Sequence, residues 1–510
     1  MNINIFSASK NYWSKLTKQS QLCLSVVLTS SAVITSSAVQ AVQFDFSYAP
    51  KTTLEQRLGF EMAGNIWSSY LTDDMTVEIY VEMTDLLPQN VIGGALPGVN
   101  ANQEFRHMYN QLDADGTSAD DTLAFTTMAT DNGKQFRGVA DNYQITNNQH
   151  INLTRANSKA LGLMDSHNDA LDGYILMSNL TAESVDWNYD FSSNNVPDHT
   201  LDYLSVALHE IGHVLGYVSG VDDPNWLSSL LKAQQSQSIA GETGRKNPES
   251  NGSYDHLGVD QNYVTMLDMF RFSEESTSFT ENYIDLSVGG KKYFSIDGGD
   301  TALGQFSTGK NGDGYQASHW KQQNNPLGIM DPTLAMGEKG TISELDLRAF
   351  DVIGYDRKLE TVSLDLLSLL TTTKEQLAQE LGLSIAEIDA HLHGVTDENV
   401  TQALVNSNQD RTQDVMDMIE NSEVYEWGWG NGDDNGNDDD NGDGNCNPNC
   451  NSYPQVLAGI LTNEGLFSQA YWSTFDFESE PKKVPEPGIN IGLLGLGLWA
   501  SNFLLKRCRK

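Results

Sequence analysis

Eight residues, His209-Glu210-Ile211-Gly212-His213-Val214-Leu215-Gly216, constrain this chain more than any other stretch. Positions four apart on an α-helix lie one above the other, so His209 and His213 point the same way and can share one metal ion. Glu210 projects from a neighbouring face, close enough to take a proton from a metal-bound water without being a ligand. Leu201, Leu204, Leu208, Ile211 and Leu215 recur at three- and four-residue steps, which predicts an amphipathic helix over 201–217 with its apolar stripe beside the histidines. Gly216 is expected to end that helix as a left-handed cap. The pattern points to zinc (Zn2+) hydrolase chemistry. It leaves the third protein ligand open, with Asp222, Asp223, His256 and His319 downstream.

The two ends of the chain read as addresses. Lys10, Lys15 and Lys18 precede an apolar run from Leu22 to Val39, and Val39-Gln40-Ala41 offers small residues for cleavage, so 1–41 is expected to be an export signal. At the far end, Val484-Pro485-Glu486-Pro487 leads into an apolar stretch from Gly488 to Leu505 and a tail of Lys506, Arg507, Cys508, Arg509 and Lys510. This length is near the lower limit for spanning a bilayer, and the basic tail would stay cytoplasmic. The three parts resemble the PEP-CTERM sorting signal of bacterial envelope proteins. The resemblance implies an exosortase-type sorting enzyme as a partner, membrane contact through 484–510 before processing, and delivery to the envelope, cell surface or exterior.

Net charge argues against nucleic acid as a partner. The chain carries −39, and the export run and apolar tail hold only basic charges, so what lies between them is more acidic still. Such a polyanion repels phosphate and can gather cations, which makes calcium (Ca2+) a second, subordinate candidate. Between the two signals only Cys446 and Cys450 remain; they are placed to pair across a small loop but cannot scaffold a domain of this size.

Between the signals, periodicity predicts an α+β unit. Thr53 and Gln56 form a capping-box pattern ahead of a helix over 53–71, and Val77 to Met83 alternates as a half-buried strand. Gly173 to Met177 reads as a more buried strand, and Val264 to Phe270 as a helix. Asp297 and Asp300 follow a short strand, where turn capping is favoured over calcium. Ser343 with Asp346, and Gly354, bracket a further helix. Leu-, Glu- and Ala-rich sequence over 359–425 predicts a small helical module; its His391 and His393, two apart, face different sides and do not share a metal. The Gly/Asn/Asp sequence over 430–445, inside an acidic linker and stem at 426–483, cannot bury enough to fold. Asp439, Asn441, Asp443 and Gly444 match the opening of a calcium loop, but Cys450 stands where a bidentate Glu is needed.

The segments Ala317-Ser318-His319-Trp320, Gly328-Ile329-Met330-Asp331-Pro332 and Ile342 to Tyr355, taken with the His209 octet, resemble the leishmanolysin branch of the metzincins. The match covers 200–220 and 315–356, and it is similar to bacterial secreted metalloproteases with the same sorting tail. In the compact metzincin spacing the third histidine would fall on Ser219; in this branch an insertion carries it further away. The resemblance implies His209, His213 and His319 as zinc ligands, Glu210 as general base and Met330 as the hydrophobic floor. It also implies a metzincin-like catalytic domain over 42–358: a twisted sheet, the zinc helix, a methionine turn and a C-terminal helix. The cysteine-rich portions typical of leishmanolysin are absent.

The expected activity is that of a zinc endopeptidase acting on protein or peptide substrates. Two alternatives stand beside it: a zinc hydrolase cutting a cell-envelope cross-link, and an envelope or matrix protein with an idle zinc site. Glu210 weighs against the last, because a purely structural site needs no base.

Overall fold

Thr53 sets the first helix. Its hydroxyl accepts from the Gln56 amide while Gln56 Oε1 accepts from the Thr53 amide, the reciprocal pair expected of a capping box. The computed structural model describes residues 41–421, apart from 88–89, 142, 146–147, 182–183, 224–225, 227–255 and 258–262, together with 471–476. The expected export signal over 1–41 lies, apart from Ala41, outside the described residues, as do the acidic stretch over 430–445 with Cys446 and Cys450 and the expected sorting signal at 484–510.

The architecture is mixed α and β. Strand β1 (Gln43–Tyr48) leads into helix α1 (Leu54–Tyr70), then β2 (Thr76–Thr84), β3 (Val91–Pro97) and β4 (Gly173–Ser178). Helix α2 (Tyr203–Leu215) carries the two close histidines. A short strand β5 (Thr333–Ala335) and helix α3 (Glu344–Val352) follow, and then α4 (Leu366–Leu381), α5 (Ile385–Leu392), α6 (Glu398–Ser407), α7 (Thr412–Asn421) and a last strand, β6 (Tyr471–Asp476). Among the described residues the main sheet has the order β1-β2-β4-β3-β6-β5. The pairs β1–β2 and β2–β4 are parallel, whereas β3 runs antiparallel to β4.

Both faces of this sheet are covered, which explains why β4 reads as a continuous apolar run rather than an alternation. Val77, Ile79, Val81, Ile175 and Met177 face the core shared with α1 and α2. Tyr80, Leu96, Tyr174 and Leu176 face the other way, against Val415, Met418 and Ile419 of α7. Helix α7 therefore closes the second face of the sheet. Arg57 of α1 donates to Ser407 Oγ, the Leu404 carbonyl and Asn408 Oδ1, and Asn65 donates to Thr373 and Gln376 of α4. His391 and His393 lie at the end of α5, where His393 Nδ1 meets the Asp389 carbonyl. Among the described residues no helix is long and apolar enough to cross a membrane.

One expected helix is smaller than its sequence suggested. Over 264–270 only a 3₁₀ turn forms, Leu267–Phe270. The cause is Asp268, whose buried carboxylate accepts from the Thr265 and Gly220 amides and from the Ser219 hydroxyl, so the preceding residues bend around it. Asp297 behaves as a turn residue: its Oδ1 accepts from Ser295 Oγ and the Thr301 amide.

The acidity of the chain also enters its stability. Burial, then the neighbouring Glu380, pushes the Glu61 carboxyl up to about 8. Burial likewise raises Asp73 to about 8, and Asp115 and Glu78 to about 7. The folded protein therefore holds protons that the unfolded chain has already released, so stability falls as pH rises through this window and is recovered below it. The melting temperature of the metal-saturated protein is expected to rise when pH is lowered from about 8 to about 6. A calorimetric series that is flat or falls over this interval would contradict the assignment.

Candidate metal centre

Helix α2 starts two residues later than its periodicity implies, because 200–202 pairs as a short parallel strand with 186–188. Asp202 caps it, accepting from the Ser205 amide and hydroxyl. At the other end Gly216 takes φ 120°, and the Gly216 and Tyr217 amides return to the Gly212 carbonyl. That conformation favours glycine, and it turns the chain away directly beneath His213.

His209, His213 and His319 come together as a fully buried group whose candidate ligand atoms all lie within 4.8 Å of one another. His213 Nε2 is 3.0 Å and His319 Nε2 3.3 Å from His209 Nε2. Each Nδ1 faces a backbone carbonyl instead: Ile329 for His209 at 2.7 Å, Tyr217 for His213 at 2.8 Å and Gln316 for His319 at 3.2 Å. A carbonyl only accepts, so each Nδ1 carries the proton and each Nε2 presents a lone pair. Burial pushes His209 down to about 4. It also lowers His213 and His319 far below the usual range, with the neighbouring imidazoles adding to the effect. The three rings are thus neutral donors. They can hold a metal ion.

The other sequence candidates are placed as follows. Glu210 is fully buried, and Gly93 of β3 lies against it: a Cβ at position 93 would stand 2.9 Å from Glu210 Oε1. Met330 packs under the helix, where a Cβ on Gly212 would collide with its sulfur. Asp222 is not one of the grouped ligands. It instead clamps the third histidine's segment, accepting from the Ala317 and Ser318 amides and the Ser318 hydroxyl. Asp223 also stands outside the group. His256 lies on a two-residue strand paired with 144–145.

Sequence reading missed three supporting residues, of which Gly93 has been placed above. Asp346 was expected only as the partner of Ser343 in a helix cap, and it is that. Its buried carboxylate also accepts from Trp320 Nε1 and the Ile329 amide, tying the residue after His319 and the turn carrying Met330 to one group. Burial holds Asp346 above the usual carboxylate range even with these donors. Gly212 was visible in the octet, but nothing in its spacing says that Met330 needs the space. Tyr355 completes the frame, donating to the Leu215 carbonyl.

Comparison with known proteins adds no relative: no family model, no curated protein and no solved structure matches this chain.

Gly212→Ala separates packing from propensity. Inside an exposed helix the change would add about 1 kcal/mol of stability, but here the new methyl must displace Met330, and overpacking of this kind costs about 1–3 kcal/mol. Gly212→Ala is expected to lower the melting temperature and weaken metal retention, and adding Met330→Ala should recover part of the loss. A stabilised Gly212→Ala would show that the sulfur does not seat there.

Proposed function

We propose that this chain is a zinc-dependent endopeptidase of metzincin type, exported to act on protein or peptide substrates at the cell envelope, the cell surface or outside. The observation that carries this reading is the convergence of three Nε2 lone pairs, with the buried Glu210 next to His209 on the same helix. Two nitrogens bound to one tetrahedral zinc at about 2.0–2.1 Å stand about 3.3 Å apart, and the contacts to His209 are 3.0 and 3.3 Å. Three neutral imidazoles with their outer nitrogens held by carbonyls are the donor set of a catalytic zinc that keeps a fourth position open. The chain order supports the same reading. A helix on a sheet, the histidine helix, the Met330 turn and a following helix occur in the sequence expected for that fold, with His319 delivered across an insertion.

Zinc, when bound, supplies Lewis acidity that polarises a peptide carbonyl and lowers the pKa of water towards about 7. Glu210 takes the proton of the attacking water and passes it to the departing amine nitrogen. The Ile329, Tyr217 and Gln316 carbonyls fix the three rings, so no reorientation is needed during the reaction. Met330 and Phe350 keep the space beneath the helix apolar, both lying next to Gly212.

Two substitutions test the reading. Glu210→Gln should retain wild-type zinc content and lose casein cleavage by about 10²- to 10⁴-fold; undiminished cleavage would remove Glu210 as the base. His319→Ala should lose zinc on dialysis, and zinc content equal to wild type would refute His319 as the third ligand. Chelation should abolish activity in the wild type, and added zinc should restore it.

A further inference from the structure

Strand β6 fills the gap between β3 and β5. It runs antiparallel to β3, with Tyr471 opposite Ala95, Trp472 opposite Gly94, Ser473 opposite Gly93 and Thr474 opposite Val91. It runs parallel to β5, with Thr474 opposite Thr333 and Asp476 opposite Ala335. These two neighbours are the rims of the candidate metal centre. Gly93 of β3 lies against Glu210, and β5 begins three residues after Met330. Helix α2 itself touches β6.

Take β6 away, and β3 and β5 would present backbone N–H and C=O groups across a slot directly beside the base. Such a slot is a template for an extended peptide. Gly93 and Gly94 leave one stretch of β3 without side chains, which lets another backbone approach closely. A peptide that is to be cut must bring a carbonyl within reach of Glu210 and the three histidines, and pairing with β3 at Gly93 would place one there. A substrate and β6 would therefore use the same hydrogen bonds. The centre is also closed: His209 is 4 % exposed and Glu210, His213 and His319 are 0 % exposed.

We propose that Tyr471–Asp476 occupies the peptide-binding groove in cis and competes with substrate, so that this chain carries its own inhibitory strand. The inference rests on the peptidase reading. The register of β6 shifts between Ser473 and Thr474, next to the position opposite Gly93. There the segment leaves the regular ladder in which a scissile bond would be presented, so it sits as an occupant. Some fifty residues separate Asn421 from Tyr471, a tether long enough to let the strand leave and return. If the segment binds with about 0.1 mM affinity and its tether gives an effective concentration of about 1 mM, it holds activity down about 10-fold.

The test uses the full zinc-loaded chain. Trp472 and Ser473 both lie opposite β3, and consecutive N–H groups of a strand point to opposite sides, so Trp472→Pro with Ser473→Pro removes one donor towards β3 and breaks the strand there. Two readouts are followed: amide exchange at Val91–Pro97, which needs no activity, and cleavage of a general peptide substrate. Faster exchange at Val91–Pro97 together with about 10-fold faster cleavage is the expected result. A synthetic peptide of residues 469–478, added to the proline variant, should then inhibit by raising KM with kcat unchanged. Exchange that does not change, or exchange that rises in a cleaving enzyme whose rate does not, would overturn the proposal. So would a trans peptide that does not compete. If exchange depends on the segment but neither protein cleaves, the occupancy of the groove is supported and it is the peptidase reading that fails.

Discussion

Three neutral imidazoles, with the Nε2 atoms of His213 and His319 3.0 and 3.3 Å from that of His209, form the constraint on which the rest of the molecule depends. Lone pairs facing one another in a buried site repel unless something positive lies between them, and burial disfavours meeting that need by protonating a ring. The contact between His209 and His213 comes at little cost, because one helix carries both. The contact to His319 does not, and most of the polar residues buried around the site serve to hold it. Asp222 takes hold of the turn just before it, Asp346 of the indole just after it, and the His319 carbonyl accepts from the Ser307 amide. Buried carboxylates are expensive, and the upward shifts of Asp222 and Asp346 show burial outweighing their donors. Each hydrogen bond to such a group nevertheless contributes about 1.5–3 kcal/mol where it is ionised, and each also fixes a direction.

Local chemistry made the regular elements legible. The capping residues Thr53 and Ser343, the four-residue steps of α1 and α2 and the alternation in β2 each involve residues close in sequence, so one short window contains the whole cause. The buried strand β4 was visible as an apolar run, but its reason was not. That reason is α7, more than two hundred residues later, whose Val415 and Ile419 cover the second face. The helix expected over 264–270 shrank to a 3₁₀ turn for a similar reason: Asp268 is engaged by Ser219 and Gly220, from a part of the chain that no local window includes.

The candidate site divides along the same line. His209, Glu210 and His213 could be read from eight residues because the helix itself sets their geometry. Met330 and His319 needed a resemblance, since nothing in their own neighbourhoods says that they meet the helix. Gly212, Gly93 and Asp346 were missed as supporting residues. Their roles are spatial: Gly212 makes room for a sulfur, Gly93 lets a backbone approach a carboxylate, and Asp346 gathers donors from two segments.

Recruiting the third histidine from 110 positions after the first looks extravagant, yet its thermodynamic penalty is small. Closure entropy grows with the logarithm of loop length. Extending the link between the second and third histidines from a handful of residues to about a hundred costs only about 2.5 kcal/mol. A few net hydrogen bonds of about 1 kcal/mol each offset that. The junction supplies them, since Ser219 donates its amide to Ser318 and its hydroxyl to Asp268, while Asp222 accepts from both Ala317 and Ser318. The two ends of the insertion are thus stapled to each other before the metal is considered. A metal ion at this centre would then complete a site already shaped by the fold.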